Sequence, residues 1–198
     1  MKTIDFRELR RLLDDAITYA DLDAARQLAQ AGLKSAHAQE LMGEIMYFRA
    51  QAAIIDENYR EAIGYLDRAI AYNPHDGAAY NDRALCAIEL GENKDRALAD
   101  FDKGIEAEGD YAGVYHNKGW YLNKLGRHAE AIPYFEKTLA LEPGRAVTYE
   151  NLADTYFNLG EMQKAVGAFR KALQCLKPVH TDIKEQIEGK IKIIVENS

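Results

Sequence analysis

The strongest constraint on the fold is a motif that recurs four times along the chain, with its copies 34, 35 and 34 residues apart. Each copy opens with a large residue, and a small residue follows four positions later. The large residues are Met46, Tyr80, Tyr115 and Tyr149, and the small ones are Ala50, Ala84, Gly119 and Ala153. Self-similarity at this period is typical of proteins built by stacking one small supersecondary unit on the next.

The second half of each copy follows a common pattern as well. An alanine recurs at Ala62, Ala97, Ala131 and Ala165, and four positions after it come Leu66, Phe101, Phe135 and Phe169. Residues four apart share one face of an α-helix. Each copy therefore predicts two helices that approach closely where their side chains are small. We expect Gly119 of one helix to face Ala131 of the other.

The pattern resembles the tetratricopeptide repeat, a helix–turn–helix unit of about 34 residues. The resemblance covers residues 43–179 and implies an all-α fold, a right-handed α-solenoid. Its four units are 43–76, 77–111, 112–145 and 146–179. No linker interrupts the chain, so we expect one continuous domain.

The two ends predict helices that cap the repeats. Residues 1–42 show helical periodicity without a clean repeat, which predicts a degenerate helix pair with Asp5 and Asp21 as N-caps. Residues 180–198 predict a capping helix with an apolar stripe at Ile183, Ile187, Ile191 and Ile194. This stripe can fold back onto the last repeat, dock on a second subunit or a partner, or fill the chain's own groove.

Two features depart from the family pattern. The position that usually holds Leu in the first helix carries a basic residue in three units: Arg49, Arg83 and Lys118. We expect the stems of these residues to lie on the helix interface while each charge pairs with a nearby acidic residue. The turn glycine of the later units is replaced by Glu57 in the first, which weakens that turn.

Charge and composition exclude several classes of protein. The net charge of −7 argues against a general binder of nucleic acid or anionic membranes, because both need a surplus of Lys and Arg. No apolar run approaches the length of a membrane span, and the N-terminus lacks the pattern of a signal peptide. Cys86 and Cys175 match no metal or redox spacing and are expected to be buried free thiols. We predict a cytoplasmic protein without membrane insertion.

No motif indicates catalysis. The sequence has no Gly-rich phosphate loop, no pair of histidines at metal-binding spacing and no serine in a Gly-flanked turn. The Asp and Glu residues are expected to be solvated helix faces and caps. We therefore predict that the chain is not an enzyme and uses no metal or other cofactor.

The resemblance implies a concave groove, lined by the first helix of each repeat, that suits an extended peptide or a partner helix. The groove positions predicted from the repeat phase are Tyr47, Phe48, Gln51, Asn81, Asp82, Leu85, His116, Asn117, Trp120, Lys124, Glu150, Asn151 and Asp154. The same phase adds Glu44, Ile55, Glu89 and Asn158.

Three of these positions suggest how a ligand would be held. Trp120, the only tryptophan, can offer an apolar platform in the groove, or it can pack near Phe157 with only its edge exposed. Asn117 and Asn151 hold the position whose asparagine, in peptide-binding members of the family, bonds the ligand backbone. The alternative is that both asparagines are retained without a ligand.

The chaperone-tail ligand of the family does not fit. Members that bind it clamp a carboxylate with Lys, Asn, Asn, Lys and Arg. The first possible frame in this chain gives Tyr47, Gln51, Asp82, Gly113 and Asn117, and the second gives Asn81, Leu85, Asn117, Val147 and Asn151. Neither frame has a basic residue, and the acidic groove positions would repel a carboxylate. The expected partner segment is neutral-polar or basic.

The leading prediction is an adaptor or scaffold that binds a segment of another protein in the groove. The alternatives are a self-assembly module that forms a homodimer or larger homo-oligomer, and a small secretion-type chaperone. Self-assembly predicts a mass that rises with concentration, whereas the adaptor predicts loss of a partner on Asn117→Ala or Trp120→Ala.

Overall fold

The computed structural model describes residues 5–91 and 94–196. Over these ranges the chain forms eleven α-helices and no strand, which confirms the predicted all-α fold of helix–turn–helix repeats. The chain divides into two compact units, Met1–Gly109 and Asp110–Ser198. The prediction of a single continuous domain stays a prediction.

The first unit, unit 1, holds two repeats preceded by one further helix pair. Its helices are α1 (Phe6–Thr18), α2 (Leu22–Ala38), α3 (Met42–Ile55), α4 (Tyr59–Tyr72), α5 (Gly77–Glu89) and α6 (Lys94–Ala107). Helices α3 and α4 pack as one pair and α5 and α6 as the next, while α2 packs on α3 and α4 on α5. We call the first helix of each repeat the A helix and the second the B helix.

The second unit, unit 2, holds the other two repeats and the C-terminal helix. Its helices are α7 (Ala112–Lys124), α8 (His128–Leu141), α9 (Ala146–Asn158), α10 (Met162–Cys175) and α11 (Thr181–Glu196). The A helices α7 and α9 also contact each other directly.

Capping side chains set several of the helix starts. Asp5 accepts hydrogen bonds from the backbone N–H groups of Arg7 and Glu8, and Asp21 accepts one from Ala24. These bonds satisfy donors that a helix start otherwise leaves unpaired, and they confirm both predicted N-caps. Asp76 caps α5 in the same way, through the N–H of Ala79.

One large residue of each B helix lies at the centre of its helix pair. The four are Leu66, Phe101, Phe135 and Phe169, each no more than 1% exposed. The small residues of the A helices make room for them. A Cβ built on Gly119 would lie 3.0 to 3.2 Å from ring carbons of Phe135, so the close neighbour of Gly119 is Phe135. The expectation that Gly119 faces Ala131 stays a prediction.

Both departures from the family pattern have structural consequences. The guanidinium of Arg83 donates to Asp100 at 2.6 and 2.9 Å and to Asp67 at 2.7 Å, which confirms the predicted pairing for this residue. Arg49 and Lys118 place their cations over the rings of Tyr65 and Tyr134. Glu57 has a φ of +59°, whereas the equivalent turns at Gly91, Gly126 and Gly160 use glycine for the same left-handed geometry.

Candidate functional site

The A-helix surface of unit 1 centres on a carboxyl group within a polar network. We define this surface, the unit-1 A face, by six residues. They are Glu44, Tyr47, Phe48 and Gln51 of α3, the α5 N-cap Asp76, and Asp82 within α5. Gln51 Nε2 donates to Asp82 Oδ2, and Asn81 Nδ2 donates to Oδ1 at 2.9 Å. Burial, with a smaller contribution from nearby Asp14, raises the pKa of Asp82 to about 6, against the lowering effect of hydrogen bonds from Asn81, Gln51 and Tyr47.

Helix α1 lies against this face and places Arg10 on it. The guanidinium donates to both oxygens of Asp76, at 2.8 and 2.9 Å, and to Glu44 Oε1 at 3.0 Å. Its Cζ atom lies 3.6 Å from the centre of the Tyr47 ring. One turn earlier, Phe6 packs against Phe48 with ring centres 5.9 Å apart. One cation therefore ties α1 to the A helices of both repeats in unit 1.

Several predicted groove residues are buried in this structure. Tyr47, Phe48, Gln51, Asn81 and His116 are each at most 6% exposed, Asp82 and Leu85 are half-buried, and so is Glu44. In unit 1, three of the positions predicted as an open groove, Glu44, Tyr47 and Phe48, instead contact α1. Their role in binding a partner stays a prediction that requires α1 to move.

The A-helix surface of unit 2 is organised by a buried histidine. Nδ1 of His116 on α7 shares a 2.9 Å hydrogen bond with Thr148 Oγ1 on α9, and Asn151 Nδ2 lies 3.5 Å from Nε2. Burial lowers the pKa of His116 to about 3, with a further lowering from Arg145. The ring is therefore neutral at physiological pH, and it fixes the register of α7 against α9.

Trp120, Asn117 and Lys124 lie on α7 within this unit, and the first two are half-buried while Lys124 is exposed. The Lys124 ammonium lies 5.0 Å from the centre of the Trp120 ring, and the Tyr121 ring centre is 6.3 Å from it. On α9, Asn151 is half-buried, Phe157 is 43% exposed and Asn158 is exposed. We define the unit-2 A face as Asn117, Trp120, Lys124, Asn151 and Asn158.

The acidic groove positions of unit 2 are paired within the chain. Lys190 of α11 donates to Glu150 at 3.0 Å and to both oxygens of Asp154 at 3.0 and 3.1 Å. Burial opposes the charge, but the two carboxylates raise the pKa of Lys190 overall. Ile187 and Ile194 of α11 are buried against a cluster that includes Phe169. The C-terminal stripe thus folds back onto the last repeat, the first of the three predicted alternatives.

Sequence reasoning missed both cations, Arg10 and Lys190. The signal for Arg10 was available in the phase of α1, where Phe6, Leu9, Arg10 and Leu13 share one helical face. Lys190 sits three residues after Ile187 on the apolar stripe, which is an unusual place for a solvated lysine. Both were unassigned because the sequence does not say which carboxylates they reach.

Nothing in the described part of the chain points to metal or thiol chemistry. Among these residues no group of three or more His, Cys, Asp or Glu side chains could hold a metal ion. Burial raises the pKa of the Cys86 thiol to about 12, whereas Cys175 is only half-buried, contrary to the prediction that both are buried. In residues 5–91 and 94–196 we also find no helix with the length and apolar character of a membrane span.

Comparison with known proteins gives the family. Two tetratricopeptide repeat models match, one over residues 50–112 and the other over residues 110–177. The chain is 33% identical over 106 residues to the Hsp70-Hsp90 organizing protein of Triticum aestivum, covering 54% of this chain and 18% of that protein. It is 25% identical over 156 residues to DnaJ homolog subfamily C member 7 of Homo sapiens, covering 72% of this chain and 31% of that protein. The chain therefore spans less than a third of the length of either relative.

The fold has a solved counterpart. The crystal structure of TTC0263, a thermophilic repeat protein of Thermus thermophilus, aligns with a TM-score of 0.71 at 20% identity, covering 92% of this chain and 97% of that one. Repeats of this kind form scaffolds for protein–protein interaction. The motif, the helix pairs and the two model matches together show that the chain belongs to the tetratricopeptide repeat family.

Proposed function

We propose that the chain is an adaptor that binds a peptide segment or helix of another protein on the unit-2 A face. The observation that supports this proposal is the half-buried Trp120, the only tryptophan, with the Lys124 ammonium over its ring. Binding hot spots are enriched in tryptophan, and Trp120 keeps part of its surface accessible on a face that also carries asparagine carboxamides.

The chemistry of the partner follows from the charges at this face. Lys190 already neutralises Glu150 and Asp154, so those carboxylates no longer favour a basic ligand in unit 2. Asn117, Asn151 and Asn158 can each donate and accept, which suits the backbone of a bound segment. The proposed ligand of unit 2 is a neutral-polar segment with one apolar or aromatic anchor for Trp120.

The name of the wheat relative concerns Hsp70 and Hsp90, and we do not extend those partners to this chain. The clamp that holds a chaperone tail needs basic residues at positions where this chain has Tyr47, Gly113, Val147 and Asn151, among others. Without them, a terminal carboxylate has no counter-charge at the bottom of the groove.

The experiment uses Trp120 as an internal probe. Candidate partners are captured from native lysate with the wild-type chain and with Asn117→Ala/Trp120→Ala, and Tyr72→Ala serves as the control because Tyr72 is an aromatic residue, 56% exposed, on α4. The purified partner segment is then titrated against the wild-type chain while tryptophan emission is recorded. We expect a shift in emission and loss of binding only in the double variant. Capture that is equal for all three proteins would contradict the proposal.

A second candidate function, self-association, is supported by an apolar surface on α10 and α11. A cavity of about 320 Å³ there is lined by Met162, Gln163, Val166, Arg170, Ile194 and Val195. Ile193 and Val195 are 59% and 58% exposed. If this surface joins two copies, sedimentation velocity will show a mass that rises with concentration and falls on Val195→Lys. A constant monomer mass would remove this candidate.

A further inference from the structure

We propose that the unit-1 A face is a second binding site, for a partner helix that presents an arginine one turn after an aromatic residue, and that α1 is its intramolecular occupant. This inference rests on the proposed function because it assigns a partner class to the other unit of the same scaffold. It concerns different residues from the Trp120 site, so each can fail without the other.

The face recognises a guanidinium in three ways at once. Asp76 receives it as a bidentate pair, Glu44 accepts a further hydrogen bond, and the centre of the Tyr47 ring lies 3.6 Å from its Cζ atom. A planar fork with five donors is matched to this arrangement, whereas a lysine ammonium could make only part of it. The side chains of Arg10 and Asp76 are 16% and 4% exposed, so the pair is held away from water.

The occupant has the form of a helix-in-groove ligand. Such ligands present anchors at positions i, i+3, i+4 and i+7 of one helical face. Helix α1 presents Phe6, Leu9, Arg10 and Leu13 at this spacing. Leu9 and Leu13 are buried, and Phe6 packs on Phe48. Of these four, Phe6 and Arg10 contact the unit-1 A face itself, so a partner helix with an arginine one turn after an aromatic residue would meet the same surface.

The fit of α1 is incomplete, which leaves room for a competitor. Within the described residues, Arg10 Nε and Glu44 Oε2 are buried atoms with no hydrogen-bond partner. An unpaired buried donor or acceptor costs free energy that a better-placed ligand recovers. The turn that joins α1 to α2 also contains Ala20 at a φ of +58°, a left-handed conformation that disfavours alanine.

Displacement of α1 would leave an acidic surface. Arg10 would leave Glu44 and Asp76 without their cation, and Asp82 lies on the same face. Asp14 of α1, which raises the pKa of Asp82, would move away with the helix. The surface that remains is complementary to a helix that places a guanidinium at this point, and we commit to a partner helix with an arginine one turn after an aromatic residue.

The test uses the full-length chain and a labelled peptide of residues 5–18, DFRELRRLLDDAIT, as the probe. The chain variant Phe6→Ala/Arg10→Ala weakens the internal occupant. We expect it to bind the peptide roughly tenfold more tightly than the wild-type chain, because an occupied site lowers apparent affinity by the fraction that is open. A peptide with Arg10→Met should lose most of this binding.

Asp76→Asn in the same variant chain provides the matched control. Asparagine still caps a helix, so α5 keeps its start, but the charge opposite the guanidinium is gone. We expect this chain to prefer the original peptide over the Arg10→Met peptide by a much smaller factor, because only Glu44 and Tyr47 still recognise the guanidinium. Circular dichroism checks that each variant is helical.

If the variant chain does not fold, hydrogen exchange of the wild-type chain replaces it. Adding excess peptide should then speed the exchange of amides in residues 6–18 and leave α9 unchanged. The proposal would be overturned if the folded Phe6→Ala/Arg10→Ala chain did not bind the peptide, or if it bound the original and the Arg10→Met peptides with equal affinity. Unchanged hydrogen exchange in α1 of the wild-type chain would overturn it as well. A wild-type dimer that the peptide converts to monomer would also overturn it, because the occupant would then be α1 of a second copy.

Discussion

Units 1 and 2 both cover carboxylates of their A helices with a cation from a terminal helix, but they use different cations. Arg10 joins Asp76 and Glu44 with 16% of its side chain exposed, and Lys190 joins Glu150 and Asp154 with 37% exposed. Guanidinium binds two carboxylates in fixed geometry, whereas an ammonium is a compact charge on a flexible stem. The ion pairs of the terminal helix are therefore mostly buried in unit 1 and partly exposed to solvent in unit 2.

The two units also contain titratable groups whose pKa values are shifted in opposite directions. In unit 1 the half-buried Asp82 has its pKa raised to about 6, and in unit 2 the buried His116 has its pKa lowered to about 3. In both cases burial favours the neutral form. Acidification therefore acts on the two units in opposite directions.

The largest expected difference between the units is in the free energy of unfolding that each loses when its cation is removed. Arg10→Met leaves two carboxylates without a counter-charge in a poorly solvated place, and we expect it to lower the free energy of unfolding by about 3 kcal/mol. Lys190→Met should cost about 0–1 kcal/mol, because solvent already screens that pair. Urea unfolding followed by circular dichroism measures both. Equal losses would show that the two cations are equivalent.

Close packing can be compared next, through two glycines. A Cβ at Gly32 would overlap the ring of Phe48, while one at Gly119 would lie 3.0 Å from the ring of Phe135. We expect Gly32→Ala to destabilise unit 1 by about 1–3 kcal/mol through overpacking. Gly119→Ala should stay within about 1 kcal/mol of the wild type, since better helix propensity offsets the tight contact.

The controls for the two glycines are Gly64→Ala in α4 and Gly167→Ala in α10. No neighbouring atom would lie within 4 Å of a Cβ at either position. Both should stabilise the chain by about 1 kcal/mol in thermal or urea unfolding. Destabilisation by Gly119→Ala as large as that by Gly32→Ala would mean that the two helix interfaces are equally tight.

The pH dependence of the free energy of unfolding tests whether the pKa values of Asp82 and His116 are shifted in opposite directions. The raised pKa of Asp82 contributes stability below its unfolded value near 3.8, and this is lost as the pH rises through about 6. The lowered pKa of His116 contributes stability above its unfolded value near 6.5, and this is lost as the pH falls toward about 3. At about 1.4 kcal/mol per pKa unit, the contribution is expected to be about 3 kcal/mol for Asp82 and about 5 kcal/mol for His116.

Asp82→Asn and His116→Asn separate these two contributions. As the pH rises from 4 to about 7, the free energy of unfolding of Asp82→Asn should rise relative to that of the wild type, and that of His116→Asn should fall relative to it. The scale of each change is about 1.4 kcal/mol per pKa unit. Unfolding in urea at a series of pH values gives both curves. Parallel curves for the wild type and Asp82→Asn would mean that Asp82 is solvated.

The smallest effects are expected at the turns. Glu57 and Ala20 hold left-handed conformations in unit 1, where Gly126 and Gly160 serve unit 2. Glu57→Gly and Ala20→Gly should each stabilise the chain by about 1 kcal/mol, and Gly126→Ala should destabilise it by a similar amount. Melting temperatures are sufficient to detect these changes. No gain from either glycine would show that the unit-1 turns are relaxed.

The sequence predicts the repeats well because their determinants are local. Large and small residues four apart define each helix face, and the buried ladder of Leu66, Phe101, Phe135 and Phe169 follows from that phase alone. The contact of Gly119 with the Phe135 ring was not predicted, because spacing along one helix does not fix the axial offset of the helix packed against it.

The candidate site is predicted less completely, since its decisive contacts join distant residues. Arg10 and Asp76 are 66 positions apart, and Lys190 and Glu150 are 40 apart. The groove positions themselves follow from the repeat phase. Whether they are open or covered depends on where the terminal helices fold, and α1 lies in a segment without the repeat pattern.

The pairing of Arg10 with Asp76 changes how unit 1 should come apart. Repeat arrays unfold approximately as a one-dimensional chain, in which each unit senses only its neighbours and the ends fray first. A bond from α1 to the first turn of α5 connects elements that are not neighbours in that chain. Opening the N-terminal end then requires breaking a contact to the second repeat, so unit 1 is expected to lose its helices in one cooperative step instead of fraying from α1.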